Sequence, residues 1–199
     1  MQSTTASVPA TRERDLNSLS ILTAVVVLAT VTMTFGAMIA VFVVRSLAPK
    51  YWGHLHVPGI LWGTTCILLA SSFTFESARR HLKANDQAGF FRLMCWTTGL
   101  GVIFLLGQLM AWFQMLHSGI VLANNPHSWF VFLFSGLHGL HILLGLGGLV
   151  YLVGRTREPA SGPRYQMKTR VVAKGVSFFW HYLDFLWVLM FVLLLLWRR

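Results

Sequence analysis

The segment from Val176 to Trp197 reads VSFFWHYLDFLWVLMFVLLLLW, and its length and composition decide the fold. The hydrocarbon core of a membrane is about 30 Å thick, so a helix of about 20 mostly apolar residues crosses it. The segment meets both conditions, yet it carries His181 and Asp184 well inside. Ionisable residues at such a depth almost always face the interior of a helix bundle. The segment therefore predicts one span of a membrane protein with a polar interior.

The rest of the chain repeats this pattern. Of its 199 residues 55% are hydrophobic and only 11% are charged, and the mean hydropathy is +0.63. Five apolar runs are long enough to span a membrane, at about residues 20–44, 58–78, 93–116, 129–153 and 175–197. These runs predict an all-α, polytopic membrane protein, a bundle of five transmembrane helices. Residues 1–18 are expected to be a short cytoplasmic tail, and residues 19–199 a single transmembrane domain.

The positive charge is unevenly distributed between the two sides of the predicted bundle. Of the 16 Lys and Arg residues, 12 fall on the side of the N-terminus and 4 on the other side. Because cytoplasmic loops carry the excess of Lys and Arg, we expect a cytoplasmic N-terminus and a periplasmic C-terminus. The net charge of +10 is then explained by orientation and by lipid headgroups. A nucleic acid is not expected as a partner.

Five polar residues at membrane depth are the candidate functional residues. They form an intramembrane polar network in our interpretation: Gln108, His138, His141, His181 and Asp184. With a rise of 1.5 Å per residue, His138 and Asp184 fall at about the same depth. Gly145 and Gly148 continue the histidine face of their helix and predict the close approach of another helix. We therefore expect a hydrogen bond from Asp184 to His138, or through His181 to the same helix.

The sequence gives little support for a haem or metal site, or for a phosphate-binding loop. A haem held by two histidines needs a matching pair on a facing helix, and no helix offers one for His127 and His141. His54 and His56 form an H-x-H motif, but no residue nearby is a clear third metal ligand. Hydrogen-bonded structural histidines are the simpler interpretation. The glycine-rich stretch GLHGLHILLGLGG follows no strand and is therefore no phosphate loop. We expect no catalytic residue, no metal and no cofactor in this chain, and we expect Cys66 and Cys95 to be small core residues.

The polar motifs resemble those of subunit III of the haem-copper respiratory oxidases. Gly136, His138, Gly139 and His141 match a Gly-x-His-Gly-x-His element of that family, and Gly136 and Gly139 are its signature packing residues. Some forty residues later, the stretch WHYLDFLW matches a Trp-His-x-x-Asp-x-x-Trp element. In this chain that element contains Trp180 and Trp187. Gln108 also falls where the family usually has glutamine.

The resemblance implies a five-helix bacterial form of cytochrome c oxidase subunit III. The chain departs from the longer members by lacking their first two helices. It also has no carboxylate in LATVTMTFGAMIA, where many members carry a buried glutamate. The implied role is that of an accessory subunit of the aerobic electron transport chain in the bacterial inner membrane. Haem and copper would lie in partner subunits, and the direct partners would be subunit I, subunit II, other subunits of the complex, and phospholipids.

Other functions remain open at this stage. A quinol oxidase subunit III and the related partner of a nitric oxide reductase share the same fold, and the sequence does not choose between electron donors. A small proton-coupled transporter is an alternative of another class, because intramembrane Asp and His residues can relay protons. Five helices do not divide into an inverted pair, which disfavours the transporter.

Overall fold

The computed structural model describes residues 10–47, 59–117, 126–157 and 163–196. These residues form five helices and no strand, which confirms the all-α prediction. The helices are α1 (Ala10–Ser46), α2 (Ile60–Lys83), α3 (Gln87–His117), α4 (Pro126–Arg157) and α5 (Pro163–Leu196). Because no water reaches the backbone in a hydrocarbon core, a spanning segment must form all its backbone hydrogen bonds internally, as a helix does.

Four of the described helices are long and apolar enough to cross a membrane: α1, α3, α4 and α5. The 24 residues of α2 extend about 36 Å, a length that would suffice for a span, but its hydropathy is lower than that of the other four helices. Its lower hydropathy comes from hydroxyl side chains and from the charged turn near its end. Thr65 and Ser71 are buried there, and their hydroxyls donate to backbone carbonyls of their own helix. The multi-pass membrane fold is therefore shown, whereas the orientation of the termini stays a prediction.

Two helices, α1 and α5, begin well before the apolar runs that predicted them. α1 begins at Ala10, within the stretch that we expected to be a tail, and α5 begins at Pro163, within the expected fourth loop. Proline is well suited to a helix start, because its missing N–H has no partner in the first turn in any case. The length of an apolar run predicts only the part of a helix that lies in the membrane. The helix can continue into the polar sequence on either side.

Helices α2 to α5 enclose the core, and α1 lies outside them against α4 and α5. The hydroxyl of Thr32 on α1 hydrogen-bonds the hydroxyl of Tyr182 on α5. Phe42 on α1 meets Phe130 and Phe134 on α4, with ring centroids 5.4 and 5.9 Å apart. These contacts hold α1 by one aromatic stripe and leave most of its surface exposed.

Large apolar side chains cover the outward faces of the described helices. Leu106, Phe113, Leu144 and Phe178 are each at least 60% exposed. A helix that is apolar all round fits a lipid environment. Cys66 and Cys95 also lie on outward faces as free thiols, so the prediction of core cysteines was wrong. A thiol behaves as a small apolar group and is therefore tolerated at an apolar surface.

A polar turn joins α2 to α3. Asn85 adopts a left-handed φ of 61° there, and its Oδ1 accepts a hydrogen bond of 2.8 Å from Arg170 on α5. Asp86 caps α3: Oδ1 accepts from the Gly89 N–H at 2.9 Å, and Oδ2 lies 2.8 Å from His81 Nδ1. The Gly89 hydrogen bond, followed by the His81 contact, lowers the pKa of Asp86 below its usual 3.8.

This cap makes the turn sensitive to acid. A carboxylate whose pKa is depressed by folding stabilises the fold above its usual pKa, and this contribution is lost as the pH falls through the folded pKa. We expect the amide proton of Gly89 to titrate with a midpoint below 3.8 in an NMR pH series. Asp86→Ala should abolish that titration. A midpoint at or above the usual value would contradict the cap.

Candidate functional site

The indole of Trp180 lies at the centre of the bundle and contacts three other helices. The side chain is fully buried, and Nε1–H donates to Ser71 Oγ on α2 at 3.1 Å. The same ring lies against two glycines. A Cβ at Gly101 of α3 would stand 2.8 Å from its Cη2, and a Cβ at Gly145 of α4 would stand 3.0 Å from its Cε3. Trp180 thus determines how closely α2, α3 and α4 approach α5.

A second tryptophan repeats this arrangement two turns further along α5. Trp187 is buried, and its Nε1–H donates to Thr65 Oγ1 on α2 at 3.0 Å. Its ring meets Phe104 of α3 edge-on at 5.4 Å and lies over His138 of α4, with centroids 5.1 Å apart and a 30° tilt. Both tryptophans therefore donate to hydroxyls of α2, Ser71 and Thr65, and neither hydroxyl was among the predicted polar residues. The only signal for these partners was the run of hydroxyl residues in α2.

His138 is fully buried within an aromatic cage. Phe35 of α1, Phe104 of α3 and Trp187 of α5 surround its ring, with centroids 6.5, 5.9 and 5.1 Å away. Neither ring nitrogen has a hydrogen-bond partner within the described part of the chain. The predicted hydrogen bond between Asp184 and His138 is therefore wrong. The two residues share a depth, but His138 is enclosed by aromatic rings.

Asp184 pairs with α2 rather than α4. It is only 4% exposed, and its Oδ2 and the hydroxyl of Ser72 are hydrogen-bonded to each other. Ser72 Oγ lies 2.8 Å from His181 Nδ1 as well, so one serine joins the aspartate to the histidine. The other carboxylate oxygen, Oδ1, has no partner among the described residues. The alternative route, from Asp184 through His181 to α4, is not seen either, because both residues contact a serine of α2.

The polar contacts continue from this cluster towards the C-terminal end of α2. Glu76, one turn beyond Ser72, accepts a hydrogen bond of 2.7 Å from Arg79. Arg79 also donates to Ser177 of α5 at 3.3 Å. Ser72, Glu76 and Arg79 thus follow one face of α2 opposite polar residues of α5. The α2–α5 interface carries most of the interior polarity of this bundle.

Comparison with known proteins identifies the family of this chain. The family model described as Cytochrome c oxidase subunit III matches residues 18–199, which is nearly the whole chain. The chain belongs to the cytochrome c oxidase subunit III family.

Named relatives agree with this assignment. A cytochrome c oxidase subunit 3 of Synechocystis is 28% identical over 167 residues, which cover 81% of this chain and 68% of the relative. One from Thermostichus vulcanus is 26% identical and covers 84% of this chain and 82% of the relative. A probable subunit 3 from Nocardia farcinica is 29% identical, with shares of 80% and 78%. The matches support the role of an oxidase subunit III, associated with other oxidase subunits in a membrane.

The family's signature residues occupy distinct places in the bundle. Gly136 faces α3, where a Cβ would stand 3.3 Å from Trp112 Cη2, and Gly139 faces Leu105 at 3.8 Å. Gly148 faces α5, where a Cβ would stand 3.1 Å from Val176. His141 is half-buried, and its Nδ1 lies 2.7 Å from the Leu137 carbonyl of its own helix. The glycines therefore space α4 from its neighbours, and His141 is held by its own helix.

The family is in general metal-free, and the described side chains give no reason to place a metal in this chain. No three His, Cys, Asp or Glu residues within the described ranges come close enough to hold a metal ion. His54 and His56 lie outside the described ranges.

Gln108 stands apart from the α2–α5 cluster. It is buried on α3, and neither end of its amide has a partner in the described part of the structure. It borders a cavity of about 10 Å³, close to the room that one water molecule needs. Other residues around that cavity include Trp112, Ser135 and Trp187. The structure therefore does not join Gln108 to the predicted histidine and aspartate network.

The unpaired amide of Gln108 leads to a prediction about stability. A buried polar group without a partner costs about 1–3 kcal/mol. Methionine has a similar shape without the amide, so we expect Gln108→Met to raise the free energy of unfolding by about that amount. An SDS titration of the purified chain in mixed micelles would measure the change. A loss of stability would show that the amide is paired, for instance by water in the adjoining cavity.

Proposed function

We propose that the chain is the accessory, metal-free subunit III of a cytochrome c oxidase in a bacterial inner membrane. In this role it supports assembly, phospholipid binding and sustained turnover of subunit I, which carries the catalytic haems and copper. The family match over residues 18–199 carries the proposal. The interior agrees with it, because tryptophans, glycines and hydroxyls fix the packing of the bundle and form no recognisable catalytic arrangement among the described residues.

The outward surface supports a role inside a larger membrane complex. Apolar side chains cover it at all depths of the described spans, so it fits both lipid and the apolar face of another membrane subunit. Long exposed faces on α1 and α3 are available to subunit I and to phospholipid acyl chains. Affinity purification of the tagged chain in mild detergent is the direct test. Co-elution of haem-bearing and copper-bearing subunits supports the proposal, whereas purification of the chain alone under the same conditions opposes it.

The same purification separates the remaining alternatives. A copper-bearing subunit II with a site for cytochrome c identifies a cytochrome c oxidase, and a subunit II without copper identifies a quinol oxidase. A nitric oxide reductase would show nitric oxide turnover by the eluted complex. Proton-coupled solute uptake by liposomes that contain only this chain would favour the transporter.

The proposed topology has five spans, with a cytoplasmic N-terminus and a periplasmic C-terminus. The distribution of Lys and Arg supports it, and α2 becomes the fifth span because its length suffices and its hydroxyls are satisfied internally. A single cysteine placed at Ala84, after Cys66 and Cys95 are changed to serine, should react only with reagents that enter the cytoplasm. Rapid labelling by an impermeant reagent from the periplasm would contradict this topology.

A further inference from the structure

The hydroxyl of Ser72 lies between an acid and a base at the middle of the bundle. It hydrogen-bonds Asp184 Oδ2 on one side and lies 2.8 Å from His181 Nδ1 on the other. Ser72 is 12 residues from the start of α2 and 11 from its end, so it is about 16–18 Å from both. All three residues are buried or half-buried. The three groups therefore form a continuous hydrogen-bonded chain near the middle of α2, far from either of its ends.

A serine hydroxyl carries one proton, which limits how the chain can be arranged. If Asp184 holds a proton, it donates to Ser72, and Ser72 donates to an unprotonated His181 Nδ1. If Asp184 is ionised, Ser72 donates to the carboxylate, and His181 Nδ1 carries a proton and donates to Ser72. The two arrangements have the same heavy-atom positions and the same total charge. They differ by the direction of two hydrogen bonds.

We propose that Ser72, His181 and Asp184 form a proton-binding relay that holds one proton at mid-membrane and exchanges it with the side where α2 ends. In the exchange, the Asp184 O–H bond breaks as a Ser72 O–H bond forms. The former Ser72 O–H bond breaks as an Nδ1–H bond forms on His181. The products are a carboxylate and an imidazolium with the serine between them, and no proton or charge is lost.

The proton leaves His181 through its second nitrogen, Nε2. The first charged groups along α2 beyond Ser72 are Glu76 and Arg79, one and two turns nearer its end. Glu76 is 7 residues from Lys83, the last residue of α2, about 10 Å along the axis. It lies one turn beyond Ser72 on α2, is partly exposed and is paired with Arg79. Glu76 is the carboxylate that takes up or supplies the proton on this route.

The surroundings of Asp184 favour the protonated arrangement at rest. Its Oδ1 has no donor among the described residues, and a buried carboxylate without donors is costly. The titratable side chains on neighbouring helices include His138 and His141 on α4 and Glu76 on α2. Among the described residues the nearest cation along α2 is Arg79, and it is already bound to Glu76. The membrane-embedded stretch of α1, residues 25–44, contains no acidic or basic residue, and the corresponding stretch of α3, residues 93–116, none either.

Infrared difference spectroscopy tests this relay on the full chain in lipid nanodiscs. We expect a protonated-carboxyl C=O band that shifts in D₂O, disappears in Asp184→Asn and moves to higher frequency in Ser72→Ala. Ser72→Thr keeps the hydroxyl and should keep the band unshifted. Asp86→Asn, which removes an exposed carboxylate, is the matched control and should leave the band unchanged. Glu76→Gln should slow hydrogen–deuterium exchange of the band by about 100-fold, the low end for a positioned proton-transfer group.

Other results overturn the proposal. A band that persists in Asp184→Asn, or no protonated-carboxyl band at any pH at which the chain is folded, removes Asp184 as the proton-binding group. A band that Ser72→Ala leaves unshifted removes the serine bridge, and this holds even if Asp184→Asn does not fold. Exchange at the wild-type rate in Glu76→Gln rejects the route. Because the measurement uses this chain alone, its failure is independent of whether the chain assembles with an oxidase.

Discussion

Trp180→Ala is expected to cost the bundle about 3–5 kcal/mol of unfolding free energy, the range for truncating a buried Trp or Phe. Trp180 is fully buried and lies against Gly101 and Gly145, so its removal leaves a cavity between α3 and α4. Ser71 Oγ also loses the indole N–H that donates to it. The rigid neighbouring backbones cannot move far into the cavity, because other side chains hold the same helices.

An SDS titration in mixed micelles, or thermal unfolding in detergent, would measure this loss. Trp96→Ala is the matched control, since Trp96 is 64% exposed on the outward face of α3 and should change stability by less than about 1 kcal/mol. Trp180→Phe should fall between the two, because it keeps most of the apolar volume and loses only the hydrogen bond and part of the ring. Equal effects of Trp180→Ala and Trp96→Ala would show that the indole of Trp180 does not hold the helices together.

The coarse architecture was predictable because membrane depth imposes a simple rule on composition. Each of the five apolar runs lies mostly or wholly inside one helix. The three-residue spacing of His181 and Asp184 also placed both on one face of α5, where both contact Ser72. Helix ends were less predictable. The starts of α1 and α5 lie in polar sequence, where a helix needs no apolar pattern and water satisfies its exposed backbone ends.

The pairing of Asp184 could not be deduced from depth alone. Several helices cross the same level, and rotation about the helix axis decides which one a side chain faces. His138 was predicted as the partner because ionisable residues are rare at membrane depth. Ser72 is one of many hydroxyl residues in the spans, and such hydroxyls usually bond the backbone of their own helix. In α2 that ordinary role is filled by Ser71 and Ser77, and Ser72 instead contacts α5.

The surroundings of His138 were also not predictable from the sequence. A histidine among apolar residues was expected to be hydrogen-bonded, yet its ring packs as an aromatic surface against Trp187 and Phe104. Sequence patterns identify buried polar atoms, but they do not reveal whether the ring faces or the ring nitrogens meet the neighbours. The same limit applies to Gln108, whose burial was predictable and whose lack of a partner was not.

Gly101→Val should destabilise the bundle by about 3 kcal/mol, the upper end of the usual cost of overpacking. A Cβ at this position would stand 2.8 Å from Trp180 Cη2 and 2.9 Å from Leu146 Cδ2. The Leu146 methyl group can rotate away, but the Trp180 ring is fixed by its hydrogen bond to Ser71 and by Gly145 on its other side. The added side chain must therefore push α3 away from α4 and α5.

Gly99 provides the matched control, because it lies on the same helix and a Cβ there would meet nothing within 4 Å. Gly99→Ala should be neutral or stabilise by up to about 1 kcal/mol, since alanine favours a helix over glycine by that amount. Gly101→Ala gains the same helix propensity but meets the indole, so its net effect should have the opposite sign. Unfolding measurements on the two alanine variants therefore separate local helix preference from interhelix packing. If both variants shift stability in the same direction and by the same amount, the ring of Trp180 does not limit the approach of α3, and the close packing at Gly101 is not what holds the bundle.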